Sequence, residues 1–256
     1  MDFLILPFVA CLILVGLHTY FGIHIIQRGV IFVDLALAQV AALGGILGLF
    51  LGFPMGSWES YFCSLSLSLG CGALFTSFRS LSKTLPTEAL IGVVYAMAAA
   101  TSILILNFLP ADSHVLKDML VGRLLFVSAG DLLHMGITYL AVGILLVIFH
   151  QKFFDYKMDL IFYGAFSLLV TSSVAIAGVL LVFTFLIIPS LVSSLFYSQF
   201  NKRLLLGWAF GLLGSSIGLF ASYFWDLPTG AAIVVCFGIL GLFTWLCLRL
   251  WYTFRS

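Results

Sequence analysis

A handful of ionisable and amide side chains interrupt an otherwise apolar chain: His18, His24, Asp34, Gln39, Glu88 and His134. All six lie inside or at the edge of apolar runs. Imidazole, carboxylate and amide oxygen are donors that a divalent transition metal accepts, imidazole suiting zinc and oxygen suiting harder ions. Ionisable groups inside a bilayer cost at least about 2.5 kcal/mol each, so they tend to face a bundle interior and serve a pathway. His18, Asp34 and Gln39 are therefore candidate metal contacts. With Glu88, and Tyr95 about two turns deeper, they mark a candidate translocation pathway.

Each of these residues also has a purely structural reading. His18 could make a local hydrogen bond, and His24 could sit at the membrane interface. Asp34 could pair with Arg28 or a backbone amide, Gln39 could join two helices, and Glu88 could complement a helix N-terminus. His134 reads as structural, His114 and Lys117 as outer-loop residues, and His150 as interfacial. Single-helix geometry limits the metal reading further. At about 100° per residue, His18 and His24 stand about 120° apart around a helix, and Asp34 and Gln39 about 140°. Neither pair grips one ion alone, so a site must be built between helices, for example His18 with Gln39 or Asp34.

Other chemistry finds no support. There is no His-Glu-x-x-His, and no clustered nucleophile or metal motif at one membrane depth, so a membrane-embedded enzyme is not expected. No Walker-type glycine loop is present, so ATP hydrolysis would fall to another chain. Cys11, Cys63, Cys71, Cys236 and Cys247 lack Cys-x-x-Cys spacing and read as small hydrophobes. A net charge of +1 with no basic stripe gives nucleic acid nothing to bind.

The elements that must position these residues are membrane helices. Of 256 residues, 63% are hydrophobic and 8% charged, against roughly a quarter charged in a soluble domain. The apolar residues fall into runs at 3–26, 29–52, 58–78, 88–109, 128–149, 159–177, 178–198, 204–225 and 229–248. Each is long enough to cross a bilayer core of about 30 Å, and uninterrupted runs of this length exclude alternating strands. The expectation is an all-α polytopic membrane protein of about nine helices, eight as the fallback, forming one domain over 1–256. The N-terminus lacks a basic stretch before its apolar run and reads as a retained first span.

Arg28, Arg79, Lys83, Lys152, Lys157, Lys202, Arg203, Arg249 and Arg255 all fall in alternate connections or at the C-terminus. Only Lys117 and Arg123 fall on the other side. The positive-inside rule then puts the N-terminus outside and the C-terminus in the cytoplasm. From Asp159 to Gln199 no polar loop appears, so two crossings need a tight turn or a broken helix near Ala175–Gly178. Pro189 must kink or break the following span. Gly44, Gly45 and Gly48, with Ala38, Ala41 and Ala42, make the second span a close-packing helix.

Four stretches, in order along the chain, carry a family resemblance. They are GVIFVDLALAQVAALG from Gly29 to Gly44, PTEALIGVVYA from Pro86 to Ala96, GVLLVFTFLIIP from Gly178 to Pro189, and SYFWDLPTGA from Ser222 to Ala231. The chain resembles the permease subunits of ABC importers for zinc, manganese and iron. The resemblance implies a vitamin-B12-importer-like bundle in the bacterial cytoplasmic membrane. It also implies a second permease (identical or related), two cytoplasmic ATP-binding subunits, and an extracytoplasmic metal-binding protein. The divalent metal is cargo, ATP belongs to the partner, and no cofactor is permanently bound.

Two departures from the family pattern stand out. Many relatives carry Asp and His four residues apart at the start of the second span; here those positions hold Leu35 and Gln39, with Asp34 one residue early. The cytoplasmic segment 150–158 is also short for the usual coupling helix. ATPase docking then turns to Arg79–Pro86, with Arg79 and Lys83, or Gln199–Arg203, with Lys202 and Arg203, beside Lys152 and Lys157 of the short segment itself, or to the other permease. The rival expectation is a secondary transporter or channel in which Asp34 and Glu88 relay protons.

Overall fold

A computed structural model describes residues 4–81, 86–109, 119–149 and 159–253. Helices account for nearly all of them: α1 (Ile5–Arg28), α2 (Val33–Phe50), α3 (Trp58–Leu81), α4 (Thr87–Leu106), α5 (Ala129–Ile148), α6 (Asp159–Phe196), α7 (Phe200–Trp225) and α8 (Thr229–Thr253), with a 3₁₀ turn at Leu124–Phe126. All eight α-helices among the described residues are long and apolar enough to span a membrane. An apolar run in lipid has no water to satisfy its peptide groups, so it closes its hydrogen bonds on itself as a helix.

The stretch from Asp159 to Phe196 is one 38-residue element broken at Gly178, which takes φ 76 and ψ 165. The break falls within the expected Ala175–Gly178 region. Taken as two rods, 159–177 and 179–196, it raises the number of apolar segments from eight to nine. The rods are about 28 and 27 Å long, close to the thickness of a bilayer core. The other ends shift little. The expected 204–225 span begins earlier, at Phe200, so Lys202 and Arg203 lie in the first turn of α7 rather than in a connection.

The helix ends are set by recognisable local chemistry. Gly29 closes α1 in the left-handed conformation (φ 68), its N–H directed to the Ile25 and Ile26 carbonyls. Asp226 closes α7 with φ 50. There the Leu227 N–H bonds the Ser222 carbonyl, while the Ser222 hydroxyl donates to the Leu227 carbonyl at 2.7 Å and pairs with the Thr229 hydroxyl at 2.8 Å. The Ser222–Ala231 block is thus a tight corner between α7 and α8.

The chain divides into two compact units. The first comprises Met1–Gly29, Arg123–Leu132 and Leu180–Ser256, and holds α1, the second half of α6, α7 and α8. Its packing centres on Thr19. The Ser190 hydroxyl donates to the Thr19 carbonyl at 3.1 Å, and a Cβ on Gly207 would meet the Thr19 methyl at 2.5 Å. Further along α7, Gly211 lies on Val15 of α1, while Gly214 and Gly218 lie on Phe237 and Ile233 of α8. Trp208 adds an indole N–H bond to the Gly16 carbonyl at 2.9 Å.

The second unit comprises Val30–Gly122 and Leu133–Val179. Here α2 and α3 run backbone to backbone, because Gly44 abuts the Ser64 Cα and Gly48 abuts Ser60. The first half of α6 joins α3 where the Ser167 hydroxyl donates to the Ser68 carbonyl at 3.1 Å and Gly72 faces Tyr163 and Ser167. Helices α1, α2 and α6 are buried over most of their apolar length, whereas α4, α5 and α8 are mostly exposed. Lipid is the natural solvent for those outer faces. Small residues on the inner helices replace a hydrophobic driving force with close van der Waals contact.

Candidate translocation site

Asp34 sits in the first turn of α2 and is fully buried. Its neighbours Val33, Ala36, Leu37 and Ala38 are fully buried as well, and Leu35 is half-buried, so α2 is enclosed on most sides at this level. Neither carboxylate oxygen has a hydrogen-bond partner. The sequence allowed Asp34 a backbone amide, and the structure does not provide one. The helix N-terminus supplies partial positive charge, yet a buried carboxylate with no direct donor is an expensive group that a cation would satisfy. Gln39 lies five residues on and is also buried, 6% exposed. Helical rise separates the two by about 7.5 Å along α2 and turns them about 140° apart.

Sequence reasoning missed a second buried polar pair in this unit. The Tyr139 hydroxyl of α5 and the Ser173 hydroxyl of α6 are 2.7 Å apart, and Ser173 bonds the Leu169 carbonyl at 2.6 Å. Tyr139 also interacts electrostatically with Asp34. The signal available in the sequence was the Thr171-Ser172-Ser173 cluster inside an apolar run. Thr171 and Ser68 carry buried hydroxyls with no hydrogen-bond partner, so the seam between α3 and the first half of α6 is more polar than its composition suggests.

His18 and His24 belong to the first unit. His18 is fully buried, and its Nδ1 bonds the Leu14 carbonyl at 3.0 Å, one turn back on α1. That is the structural bond its alternative reading required. A proton on Nδ1 makes Nε2 the lone-pair nitrogen, the form in which imidazole binds metal. His24 is 3% exposed, with ring centroids at 4.7 Å from Tyr20 and 5.2 Å from Phe200. It is buried among these rings. Within the described residues, no three His, Cys, Asp or Glu side chains gather to hold a metal ion.

Glu88 and Tyr95 are half-buried on α4, seven residues apart and so on one helical face. The Glu88 Oε2 is buried without a hydrogen-bond partner. His134 is exposed and packs on Trp58 with centroids 4.3 Å apart. Pro189 and Gly178 are both buried, Pro189 inside the second half of α6 and Gly178 at its break. Of the basic residues, Lys202 is exposed, with its ammonium 5.8 Å from the Tyr197 ring centroid, and Arg203 is half-buried. Arg79 lies in the last turn of α3. Lys83, Lys152, Lys157, His114, Lys117, His150 and the whole 150–158 segment lie outside the described residues.

The second unit thus combines a fully buried carboxylate near the start of a glycine-rich helix with a long helix broken at Gly178. The family model described as "ABC 3 transport family" matches residues 1–247. The chain belongs to that family. It is a multi-pass protein of the bacterial cytoplasmic membrane, and the family match reaches every helix described above, α8 as far as residue 247. A similar relative is the "Manganese transport system membrane protein MntC" of Listeria innocua, 26% identical over 229 residues, covering 84% of this chain and 79% of the relative. Another is the "Probable iron transport system membrane protein" of Haemophilus influenzae, 24% identical over 227 residues, covering 83% of this chain and 81% of the relative. Among solved structures, "PsaBC from Streptococcus pneumoniae in complex with Fab" aligns with a TM-score of 0.78 at 20% identity, over 95% of this chain and 91% of that one. At that identity the likeness concerns the fold.

Proposed function

We propose that this chain is the membrane-spanning permease subunit of an ATP-driven importer for a divalent transition-metal ion. It contains no ATP-binding loop, so hydrolysis falls to separate cytoplasmic subunits. An extracytoplasmic metal-binding protein would deliver the cargo and a second permease would complete the passage. The family match and the manganese and iron relatives support the class of cargo.

The observation that carries the site reading is Asp34, buried with both oxygens unpartnered. In a dry interior such a carboxylate calls for a positive charge, and a passing metal ion supplies one. The oxygen donors on α2, Asp34 and Gln39, suit manganese(II) or iron(II) better than zinc, which favours imidazole and thiolate. Glu88 and Tyr95 would extend the route along α4, and Lys202 and Arg203 at the start of α7 would face the ATPase.

The test is purification from a cell expressing its neighbouring transport genes, followed by reconstitution. A co-purifying ATPase and manganese uptake that requires ATP but survives an uncoupler are expected. Uptake driven by a proton gradient, with no ATP-hydrolysing companion, would overturn the reading in favour of a carboxylate relay.

A further inference from the structure

The break in α6 is not an isolated irregularity. Gly178 takes φ 76 and ψ 165, a region open only to glycine. Gly122 also has a positive φ, 78. These two glycines meet main chain to main chain within the second unit. A Cβ on Gly178 would overlap the Gly122 nitrogen and lie 2.7 Å from the Val121 carbonyl carbon; a Cβ on Gly122 would overlap the Ala177 carbonyl and lie 2.7 Å from the Gly178 nitrogen. No side chain is interposed between the two backbones. The chain leaves one compact unit for the other directly after Gly122 and again after Val179. The other two passages follow Gly29, φ 68, and Leu132. Three of the five positive-φ glycines thus stand at or next to the points where the chain changes unit.

We propose that the Gly122–Gly178 contact is a pivot about which α6 bends during transport, with Gly29 as an accessory joint. Hinges are short segments that absorb a large φ/ψ change between stiff elements. Gly178 is flanked by rods of 19 and 18 residues, with none of the α-helical geometry that would resist torsion at the junction itself. The proposal rests on the importer reading, because the motion is expected to follow the ATP cycle.

Because Gly178→Ala adds a methyl that overlaps the Gly122 nitrogen, its loss would not separate a pivot from tight packing. Distances on the unaltered backbone do. In a background with the five cysteines replaced and transport retained, paired spin labels are placed at Leu160 and Leu195, across Gly178. Control pairs sit within one rod, at Leu160 with Ala175 and at Leu180 with Leu195; all four positions are exposed. Labelled chain is diluted with unlabelled chain and assembled with its ATPase. The Leu160–Leu195 distance is expected to shift by several Å between the nucleotide-free and vanadate-trapped states, the control distances staying fixed. An unchanged Leu160–Leu195 distance in an assembly that hydrolyses ATP overturns the pivot, as does an equal change within either rod. Failure to recover any ATPase overturns the importer reading instead.

Discussion

The Ser190 hydroxyl donates to the Thr19 carbonyl at 3.1 Å, tying the residue after Pro189 to the turn of α1 that carries His18. Proline 189 has no N–H to give to its own helix, and the bond from its neighbour anchors the segment to a second helix. Ser190→Ala is expected to lower stability only slightly, by about 0.6 kcal/mol, the scale of hydrogen bonds between membrane helices. Gly22→Ala, one turn from Thr19, should do far more damage, because its Cβ would overlap the Leu186 carbonyl. Comparative thermal unfolding in detergent checks the order of the two.

Close backbone packing gives a matched pair of alanine substitutions. A Cβ at Gly44 would overlap the Ser64 Cα, whereas a Cβ at Gly16 meets nothing within 4 Å. Gly44→Ala is expected to cost about 1–3 kcal/mol through overpacking. Gly16→Ala should be neutral or slightly stabilising, since alanine is the better helix former. Equal membrane abundance and equal melting of the two variants would remove the α2–α3 contact from the account.

At Asp34, function and stability should move in opposite directions. Asp34→Asn keeps the shape but removes the charge, and manganese uptake should fall by about tenfold or more, the scale on which metal-contacting shells act. Asp34→Leu also abolishes the buried unpartnered carboxylate, relieving about 1–3 kcal/mol, and is expected to raise the melting temperature while eliminating transport. Uptake at the parental rate in Asp34→Asn removes this residue from the route.

Membrane orientation is checked by labelling single cysteines in intact cells and in inverted vesicles. A cysteine at Lys202, exposed in the first turn of α7, should react from the cytoplasm. One at Glu59, in the first turn of α3, should react from outside. The reverse pattern would invert the topology drawn from the basic residues.

The helices were legible because lipid imposes a length and leaves a continuous apolar run, and the starts of α3, α4 and α8 fell within a residue of expectation. The place of Asp34 near the start of α2 was legible too. Its lack of partners was not, since Arg28 and nearby amides were equally available on paper. Tyr139 stayed hidden because a tyrosine in an apolar span resembles any aromatic; only the approach of Ser173 from another helix identifies it. The break at Gly178 could be located from the missing polar loop. That it presses on Gly122, 56 positions earlier, depends on tertiary contact and leaves no local trace in either segment.

The serine-rich face of α3 has a consequence for how the protein is made. Ser60 and Ser64, one turn apart, lie on the side turned to α2, Ser68 follows at the same spacing, and α3 is the least apolar of the eight spans. A nascent segment of that kind leaves the translocon for lipid poorly by itself. Since Gly48 and Gly44 on α2 are shaped to receive Ser60 and Ser64, α2 and α3 should enter the bilayer together as a hairpin, the earlier helix acting as an intramolecular chaperone for the later one.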